Sequence, residues 1–386
     1  MKITMCSFTG YKALNGSNLR AYFLAKEFLK RGFELDFITP DKKDAISCRE
    51  RFDCSSRHVS LNISRFKKSR LKLYPIFAYK ASKLIKKDID IVFGQSLPSA
   101  LAVNRSKTEA KKVVDYVDLW SEYWLYANPT LKGRIVYEAV KWAEKHSLKN
   151  VDIAFTITSK LKDMLKRRGC KDEKIRVVRD GVDLRMFKPF RVKEEFYNRY
   201  NLGKGEEFIA YQGGIAAHDG VQFLVDAAPL VLHEFPDVKF LIIGTGAYYD
   251  NIVNKVKKMG LQKNFIFTGW VDYEDMPFFM NIAKINSVPL PNSPSTQGVV
   301  TYKLMEAMAC GTPTVIGDLP GVNETVKHGK TAYLCRSEDK KELSKGIIGL
   351  LDNQKLYNSI RNRGLELIKK HDWRDIAKEM VDVMLG

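Results

Sequence analysis

Cysteine is scarce in this chain and lacks the paired spacings on which most of its structural roles depend. The six cysteines among 386 residues form no CxxC motif and no His-paired spacing. This pattern argues against a zinc site and against a dense disulfide framework, and it favours a reducing compartment. We find no other cluster typical of a metal site, so we expect neither a metal nor a cofactor.

Long apolar runs are also missing. No window approaches the roughly 18 consecutive apolar residues that would indicate a membrane-spanning helix. The N-terminus, MKITMCSF, enters an alternating apolar pattern at once, without a charged leader and a long apolar core. We therefore expect no secretory signal and a cytoplasmic protein.

Acidic residues are absent from one long stretch, between Cys54 and Lys87. The net charge of the chain is +19, of which residues 1–200 carry +20 and residues 201–386 carry −1. Within the stretch, apolar and aromatic side chains alternate with the basic ones, a mixture that can bind an anionic membrane surface. A solvated loop and helix is the open alternative. The basic residues are Arg57, Arg65, Lys67, Lys68, Arg70, Lys72, Lys80, Lys83, Lys86 and Lys87.

Nucleic acid is not an expected partner, because no RNP, KH or zinc-finger pattern accompanies this charge. The membrane interpretation instead places the protein on the inner face of the cell membrane as a peripheral protein.

The order of apolar runs predicts an α/β protein with two doubly wound parallel sheets. Strand-like runs alternate with helical patterns from end to end, and the length suggests two domains. In the first half the predicted strands are 3–8, 34–39, 89–93, 112–116, 153–157 and 175–178. In the second half they are 208–212, 238–243, 265–268, 285–289, 314–316 and 332–335.

A charged, strand-poor stretch separates the two series, and a linker is expected near residues 182–206. We predict an N-terminal domain at 1–185 and a C-terminal domain at 186–371. The last segment, 372–386, has an apolar stripe at helical spacing, and we expect that helix to pack back on the first domain.

The segment Ser295–Ile316, STQGVVTYKLMEAMACGTPTVI, carries the strongest functional signal. Ser295 or Thr296 can cap a helix from about Gly298 to Ala309, and a helix N-terminus presents N–H groups to an anion. Glu306 would lie roughly 12 Å along that helix from Gly298, comparable to the distance from a sugar diphosphate to a ribose. Lys303 shares its face. An ordinary amphipathic helix with a solvated lysine is the alternative.

With these blocks in order, the chain resembles the retaining glycosyltransferases of family 4, which have the GT-B fold of two Rossmann-like domains. The similarity covers nearly the full length. It includes Gly16 and its helix, IRVVRDGVDLRMFKP at 175–189, FLIIGTG at 240–246, FIFTGWV at 265–271, KLMEAMACGTPTV at 303–315 and PGVNETVKHGKTAYL at 320–334.

The resemblance implies how a nucleotide sugar is held. Glu306 would bind the ribose hydroxyls, because a carboxylate can accept hydrogen bonds from both. The backbone from Gly298 to Val300 would receive the diphosphate or sugar, Gly244 and Gly246 would allow close approach, and the base would lie near residues 270–271. The implied donor-site residues are Gly16, Gly214, His218, Gly244, Gly246, Trp270, Val271, Gly298, Val299, Val300, Lys303 and Glu306.

The chain departs from the family pattern at the phosphates and at the sugar. Gly298 stands where many members have the first Glu of a pair. Gly214 and Asp219 stand where many members have a phosphate-clamping Arg and Lys. Lys303 is then expected to neutralise the leaving diphosphate, with His218 or Arg179 as possible substitutes for the clamp.

In the first domain, Asp118 occupies the place where family members carry a catalytic His or Asp. It could position the acceptor hydroxyl or stabilise positive charge at the anomeric carbon, or it could simply cap the next turn. Trp120, Tyr123 and Trp124 could line an acceptor groove or pack beneath it. The catalytic residues implied by the resemblance are thus Asp118, Lys303 and Glu306.

The predicted function is retaining transfer of a sugar from a nucleoside diphosphate sugar to an acceptor hydroxyl. A lipid-linked saccharide or glycolipid is the preferred acceptor because the first half of the chain is basic. A GT-B nucleotide-sugar epimerase is one alternative. A catalytically degenerate binding partner, suggested by the residues at 214, 219 and 298, is another.

Overall fold

The chain folds into two compact α/β units. The computed structural model describes residues 1–9, 18–59 and 73–386. The first unit comprises Met1–Asp180 together with Trp373–Gly386, and the second comprises Gly181–Asp372. The chain therefore leaves the first unit after Asp180 and returns to it at Trp373.

The first unit is built on a seven-stranded parallel sheet with the order β3-β2-β1-β4-β5-β6-β7. Its central strands are apolar and buried on both faces, as is usual where helices cover a parallel sheet on both sides. The strands are β1 (Lys2–Ser7), β2 (Glu34–Thr39), β3 (Ser55–His58), β4 (Ile91–Gln95), β5 (Lys111–Tyr116), β6 (Ile153–Thr156) and β7 (Ile175–Val177).

The second unit has a six-stranded parallel sheet with the order β10-β9-β8-β11-β12-β13. Its strands are β8 (Phe208–Gln212), β9 (Lys239–Ile243), β10 (Phe265–Gly269), β11 (Ala283–Val288), β12 (Thr314–Gly317) and β13 (Tyr333–Cys335). Two buried apolar clusters, one on each face of this sheet, hold the unit together.

Helices connect successive strands, and several begin at side chains that accept hydrogen bonds from the first turn, such as Asp41, Thr158 and Asp339. In the first unit they are α1 (Leu19–Lys30), α2 (Lys42–Phe52), α3 (Leu73–Leu84), α4 (Ser96–Arg105), α5 (Trp120–Ala127), α6 (Leu131–Ser147) and α7 (Ser159–Arg167). In the second they are α8 (Glu194–Arg199), α9 (Val221–Glu234), α10 (Tyr249–Lys258), α11 (Met276–Ile282), α12 (Pro294–Gln297), α13 (Tyr302–Ala309), α14 (Pro320–Asn323), α15 (Lys340–Asp352) and α16 (Gln354–Ile368); α17 (Trp373–Leu385) follows.

The last helix, α17, packs on α1 within the first unit. Trp373 is fully buried and stacks on Phe23 of α1, with ring centroids 5.7 Å apart. At the rim, Arg31 donates to the carboxylate of Asp382 at 2.7 Å. The apolar stripe that the sequence shows in this segment is thereby buried.

One strand was not predicted. β3 has the polar sequence SSRH and pairs only with β2 at the edge of the sheet, so it lacks the apolar run that marks a buried strand. Its Arg57 belongs to the basic stretch, but its guanidinium forms an ion pair with Asp36. Arg57 is therefore neutralised within the fold, which corrects its assignment as a cation for a membrane surface.

The rest of the basic stretch is partly outside the described residues, because positions 60–72 are not described. In the described part, Leu73 and Phe77 of α3 are buried in the core, so they pack inward instead of inserting into a membrane. Ile76 and Tyr79 on the same helix are exposed. Within residues 1–9, 18–59 and 73–386, none of the helices combines the length and apolar character needed to span a bilayer.

Candidate functional site

The strand order of the second sheet reverses between β8 and β11. In open parallel sheets, such a reversal leaves a crevice beyond the carboxyl ends of the two strands, where ligands bind. Two segments start there: the loop after β8, residues 213–220, and the connection after β11 that leads through α12 to α13. The residues predicted for phosphate and ribose lie on these two segments.

Lys303, on the first turn of α13, links the two segments. Its Nζ lies 2.8 Å from Oδ1 of Asp219 and 2.7 Å from the hydroxyl of Tyr211 at the end of β8. Its backbone carbonyl accepts from the side-chain amides of Gln212 and Asn286, at 3.0 and 3.1 Å. The lysine is thus fixed at the strand-order reversal at both its backbone and its side chain.

The ammonium of Lys303 is already paired in this structure. Burial by itself lowers the pKa of Lys303, but the carboxylate of Asp219 and the Tyr211 hydroxyl outweigh burial and raise it. Lys303 is therefore a permanent cation whose charge is balanced by Asp219. The sequence indicated Asp219 only as a missing clamp residue, whereas the structure shows it as the partner of the remaining cation.

Asp219 also shapes the loop. Its Oδ2 accepts from the backbone N–H of Ala216 at 3.0 Å, while Oδ1 accepts from Lys303. Gly213 has a φ of +111°, and a Cβ there would lie 2.7 Å from Cε of Lys303. A glycine at 213 thus leaves the space through which the lysine reaches the loop.

Glu306 lies one turn further along α13 and is buried. Its Oε1 accepts from the hydroxyl of Tyr273 at 2.8 Å. Burial raises the pKa of Glu306 to about 8, although Tyr273 and Lys303 both act in the opposite direction. This carboxyl group therefore holds its proton to higher pH than an exposed glutamate does, because burial disfavours the charged form.

Tyr273 was not predicted as a site residue. It lies two residues after Val271, which with Trp270 was predicted to lie near the base, and it begins a 3-10 turn at Tyr273–Asp275. Burial and the neighbouring Glu306 raise the pKa of Tyr273 well above its usual value, so it stays a hydrogen-bond donor. The aromatic sequence FTGWVDY gives no indication of which ring would turn inward towards α13.

The predicted helix from Gly298 to Ala309 is wrong at its start. The structure has the short helix α12, whose cap is Ser293, and then α13, whose cap is Thr301 with its side chain accepting from the N–H of Lys303 at 3.3 Å. Ser295 and Thr296 belong to α12 and do not cap α13. Helical rise therefore does not give the distance from Gly298 to Glu306.

The segment 298–300 connects these two helices. Gly298 and Val300 are buried, and Val299 is half-buried. A Cβ on Gly321 of α14 would lie 2.9 Å from the carbonyl of Val299 and 3.0 Å from the backbone of Gly298. The packing of α14 therefore fixes the backbone that was predicted to receive the diphosphate or sugar.

The predicted glycines of the nearby loops have a packing role. A Cβ on Gly244, whose φ is +125°, would lie 2.0 Å from the carbonyl oxygen of Gly213. A Cβ on Gly246 would lie 2.3 Å from that of Ile215. These glycines let the loops after β8 and β9 touch, while a role towards a nucleotide stays a prediction. Gly214 is exposed, and its carbonyl accepts from Tyr211.

His218 lies in the loop after β8, beside Asp219. Burial lowers the pKa of His218, with Lys303 acting in the same direction and Asp219 in the opposite one. The imidazole is neutral at pH 7 as a result, so it can offer a hydrogen bond but no full charge.

The two residues predicted to lie near the base follow β10. Trp270 is exposed and Val271 is buried.

Asp118 lies in the first unit, between β5 and α5. It is half-buried and does not cap α5, whose cap residue is Leu119. Burial, followed by the neighbouring carboxylates of Glu144, Asp115 and Asp180, raises the pKa of Asp118 to about 7, against a hydrogen bond from Trp120. Because the cap residue of α5 is Leu119, the alternative that Asp118 caps the next turn is wrong.

Glu144 of α6 occupies the position that a cap would take. It is fully buried, and its two oxygens accept from the backbone N–H of Ser121 at 2.9 Å and from the hydroxyl of Ser121 at 2.7 Å. Arg168 donates to Glu144 at 3.0 Å and to Glu122 at 2.6 Å. This network fixes α5 against α6. No sequence pattern indicated this network, because a Glu within a helix is typical of a solvent-facing position.

The aromatic residues of α5 that were predicted to line an acceptor groove are partly buried by packing. Trp120 packs on Tyr74, with ring centroids 4.7 Å apart. Tyr123 and Trp124 are half-buried. The indole N–H of Trp124 is buried, and no acceptor for it exists among the described residues. A role for Trp124 towards an acceptor stays a prediction.

Arg20 of α1 forms a second buried network behind Asp118. Its Nε lies 3.0 Å from both carboxylate oxygens of Asp115, and its Nη1 lies 3.3 Å from Asp180. Nη1 also donates to the carbonyl of Arg179 at 3.0 Å, while the side chain of Arg179 is exposed. Asp180 is thus used in this ion pair.

Gly16, predicted to contact the donor, lies outside the described residues.

Two Rossmann-like domains with parallel sheets, each with its own strand-order reversal, define the GT-B class of fold. The family model described as "Glycosyltransferase Family 4" matches residues 14–185, and the one described as "Glycosyl transferases group 1" matches residues 192–367. The chain belongs to family 4 of the glycosyltransferases, within glycosyl transferases group 1. It is therefore a transferase enzyme.

Individual proteins resemble the chain at lower identity. N-acetyl-alpha-D-glucosaminyl L-malate synthase of Bacillus anthracis is 24% identical over 93% of this chain and 91% of its own length. Alpha-D-kanosaminyltransferase of Streptomyces kanamyceticus is 26% identical, and the match spans 62% of each chain, less than two thirds of that relative. HepE of Anabaena, solved in complex with UDP-glucose, is similar in fold with a TM-score of 0.77 at 16% identity, over 100% of this chain and 99% of that chain.

Proposed function

We propose that this protein transfers a sugar from a nucleoside diphosphate sugar to a hydroxyl group of an acceptor, with retention of anomeric configuration. The observation that carries the proposal is the placement of Lys303 and Glu306 one turn apart on α13, beside the strand-order reversal of the second sheet. A cation and a carboxyl group at that spacing match the two ends of a nucleotide, its phosphates and its ribose.

Glu306 would bind the ribose. The two hydroxyls of a ribose donate hydrogen bonds that favour the ionised carboxylate, so they would draw the proton off a group whose pKa is raised to about 8. Tyr273 would keep its hydrogen bond and hold the carboxylate in place. The UDP-glucose bound to HepE supports a nucleotide sugar as the class of ligand for this fold.

Lys303 would stabilise the departing diphosphate. Its ammonium is paired with Asp219, so a diphosphate would share this cation with the carboxylate or displace the carboxylate. Backbone N–H groups near the start of α13 would supply further stabilisation, and no metal is required in this proposal.

Asp118 would act on the acceptor side. In the transfer, the bond from the anomeric carbon to the diphosphate oxygen breaks, a bond to the acceptor oxygen forms, and the acceptor's hydroxyl proton passes to the departing diphosphate. A carboxylate at 118 would orient that hydroxyl or stabilise the positive charge that develops on the sugar. Trp120, Tyr123 and Trp124 would contact the acceptor from α5.

A lipid-linked saccharide or a glycolipid is the acceptor that the charge distribution favours. Residues 1–200 carry the whole net positive charge of the chain, and such a surface is attracted to anionic headgroups. The enzyme would then work as a cytoplasmic protein bound peripherally to the inner face of the cell membrane.

Saturation-transfer NMR with a panel of nucleoside diphosphates tests the donor part of the proposal. We expect at least one to bind, and Glu306→Ala to weaken its binding while Glu366→Ala, at a surface ion pair with Lys369, leaves it unchanged. Absence of binding by the whole panel would refute a nucleotide-sugar donor. Release of free nucleotide and an altered sugar without any acceptor would instead indicate an epimerase.

A further inference from the structure

Helix α6 of the first unit displays an apolar stripe to solvent. Leu131, Ile135 and Trp142 are 79%, 67% and 66% exposed. At 3.6 residues per turn, Ile135 and Trp142 lie only about 40° and 20° around the helix from Leu131. Three large apolar side chains therefore form one line along the outer face of a single helix.

The opposite face of α6 is the one that packs in the fold. Its buried residues are Gly133, Val140, Glu144 and Ser147, which lie about 160° to 220° around the helix from Leu131. A Cβ on Gly133 would lie 1.8 Å from the carbonyl oxygen of Asn128, so the helix sits tightly on the segment before it. The outer stripe thus does not serve the core, and its exposure is costly unless something covers it.

Basic side chains flank the stripe. Helix α6 carries four Lys and Arg residues and two Glu residues, one of which, Glu144, is buried inside. The other, Glu138, lies in the stripe and pairs with Lys141, whose Nζ is 3.5 Å from its carboxylate. The basic residues are Lys132, Arg134, Lys141 and Lys145.

We propose that the outer face of α6 binds an anionic lipid bilayer. Apolar side chains that include a tryptophan, flanked by cations, are the pattern of a helix that lies in a membrane interface. A second copy of the chain is a poorer occupant, because a two-fold contact would set the four cations of one helix against those of the other. This inference deepens the proposed function and rests on it for its biological meaning.

The position of α6 connects membrane binding to the acceptor residues. Its inner face holds α5, through Glu144 to Ser121 and through the hydroxyl of Tyr137 to Glu122 at 3.3 Å. Helix α5 carries the predicted acceptor residues Trp120 and Trp124. A bilayer under α6 would therefore place lipid headgroups one helix away from those residues.

Helix α3 carries further exposed side chains of the same kind. It packs on α4, on which α6 also packs. Its Ile76 and Tyr79 are exposed, and Nζ of Lys83 is 4.3 Å from the Tyr79 ring centroid. These are the described residues of the basic stretch that suit a membrane surface.

Flotation of the full-length protein with vesicles tests the proposal. Vesicles of equal parts phosphatidylglycerol and phosphatidylcholine should carry the protein at low ionic strength, and pure phosphatidylcholine should carry much less. The triple variant Leu131→Ser, Ile135→Ser, Trp142→Ser should lose about tenfold or more in vesicle binding. Arg134→Glu with Lys145→Glu should lose a similar amount without altering apolar area.

Matched controls come from the second unit. Leu230→Ser with Met259→Ser removes exposed apolar side chains elsewhere, and Lys257→Glu with Lys258→Glu removes cations from α10. Both control variants should float like the parent protein. The unfolding temperatures of the control variants and the α6 variants should match that of the parent. Equal flotation of the α6 variants and the parent would overturn the proposal, as would a parent dimer that the triple variant dissociates. Nucleoside diphosphate release with a soluble acceptor, measured separately, reports on the transferase proposal alone.

Discussion

The ionisable residues on α13 are held in states that the proposed nucleotide would have to change. Lys303 is paired with Asp219, and Glu306 is buried with a raised pKa beside Tyr273. Under the proposed function, the two groups would give up interactions or a proton when a nucleotide binds. Two consequences for these groups, and a third for Asp118 in the first unit, can be measured on single residues.

Glu306→Gln should change how stability depends on pH. The folded-state pKa of Glu306 is about 8 against an ordinary 4.5, so its contribution is fully present below pH 4.5 and is lost as pH rises to about 8. Across this window the free energy of unfolding of the parent should fall relative to the variant, by at most about 1.4 kcal/mol per pH unit. Thermal unfolding of both proteins from pH 4 to 9 measures it, and parallel curves would contradict the buried, protonated state.

Asp219→Asn should strengthen binding of a nucleoside diphosphate, by about tenfold, because it removes a negative charge 2.8 Å from the cation that must meet the phosphates. An Asn can still accept from the N–H of Ala216 and so preserve the loop. Titration calorimetry measures the affinity. Asp226→Asn, at the Lys255 ion pair on α9, is the matched control and should have no effect. Weaker binding in Asp219→Asn would show that the carboxylate positions Lys303 for the ligand instead of competing with it.

Asp118→Asn should lower turnover by about a hundredfold while leaving nucleotide affinity unchanged. In the parent, turnover should rise as pH increases through about 7, where Asp118 ionises under the influence of burial, Glu144, Asp115 and Asp180. Glu144→Gln removes one of these negative charges and should move the midpoint to lower pH. A midpoint that stays in place in Glu144→Gln would remove Asp118 as the titrating group.

At the scale of elements, periodicity predicted most of the fold. The strands were found because parallel strands buried on both faces are apolar runs; among the described residues, the polar edge strand β3 was the one that was missed. The start of α13 was wrong because Ser293, Ser295, Thr296 and Thr301 are all suitable cap residues, and residue type alone does not distinguish among them. The pairing of Lys303 with Asp219 joins residues 84 positions apart, which no local pattern reveals.

Helix α17 offers a test of how the chain closes on its first unit. Trp373→Ala should cost about 3–5 kcal/mol, because it empties a fully buried site that stacks on Phe23 of α1. Glu379→Ala, at an exposed position of the same helix, should cost almost nothing. Urea unfolding of both variants measures the difference. Equal midpoints would mean that α17 does not stabilise the first unit.

At the scale of the whole molecule, charge and chemistry are divided between the two halves of the chain. Residues 1–200 carry a net +20 and include Asp118, α5 and α6, while the nearly neutral residues 201–386 include Lys303 and Glu306. This division suits an enzyme that meets an anionic surface with one half and a soluble nucleotide sugar with the other.

The most direct measurement is release of nucleoside diphosphate from a panel of nucleotide sugars, with and without a membrane lipid extract as acceptor and in the presence of a chelator. The proposed function predicts that one donor gives release that depends on the extract, persists with the chelator and forms a labelled lipid with the anomeric configuration of the donor. Release that is indifferent to the extract, or a product of inverted configuration, would contradict it.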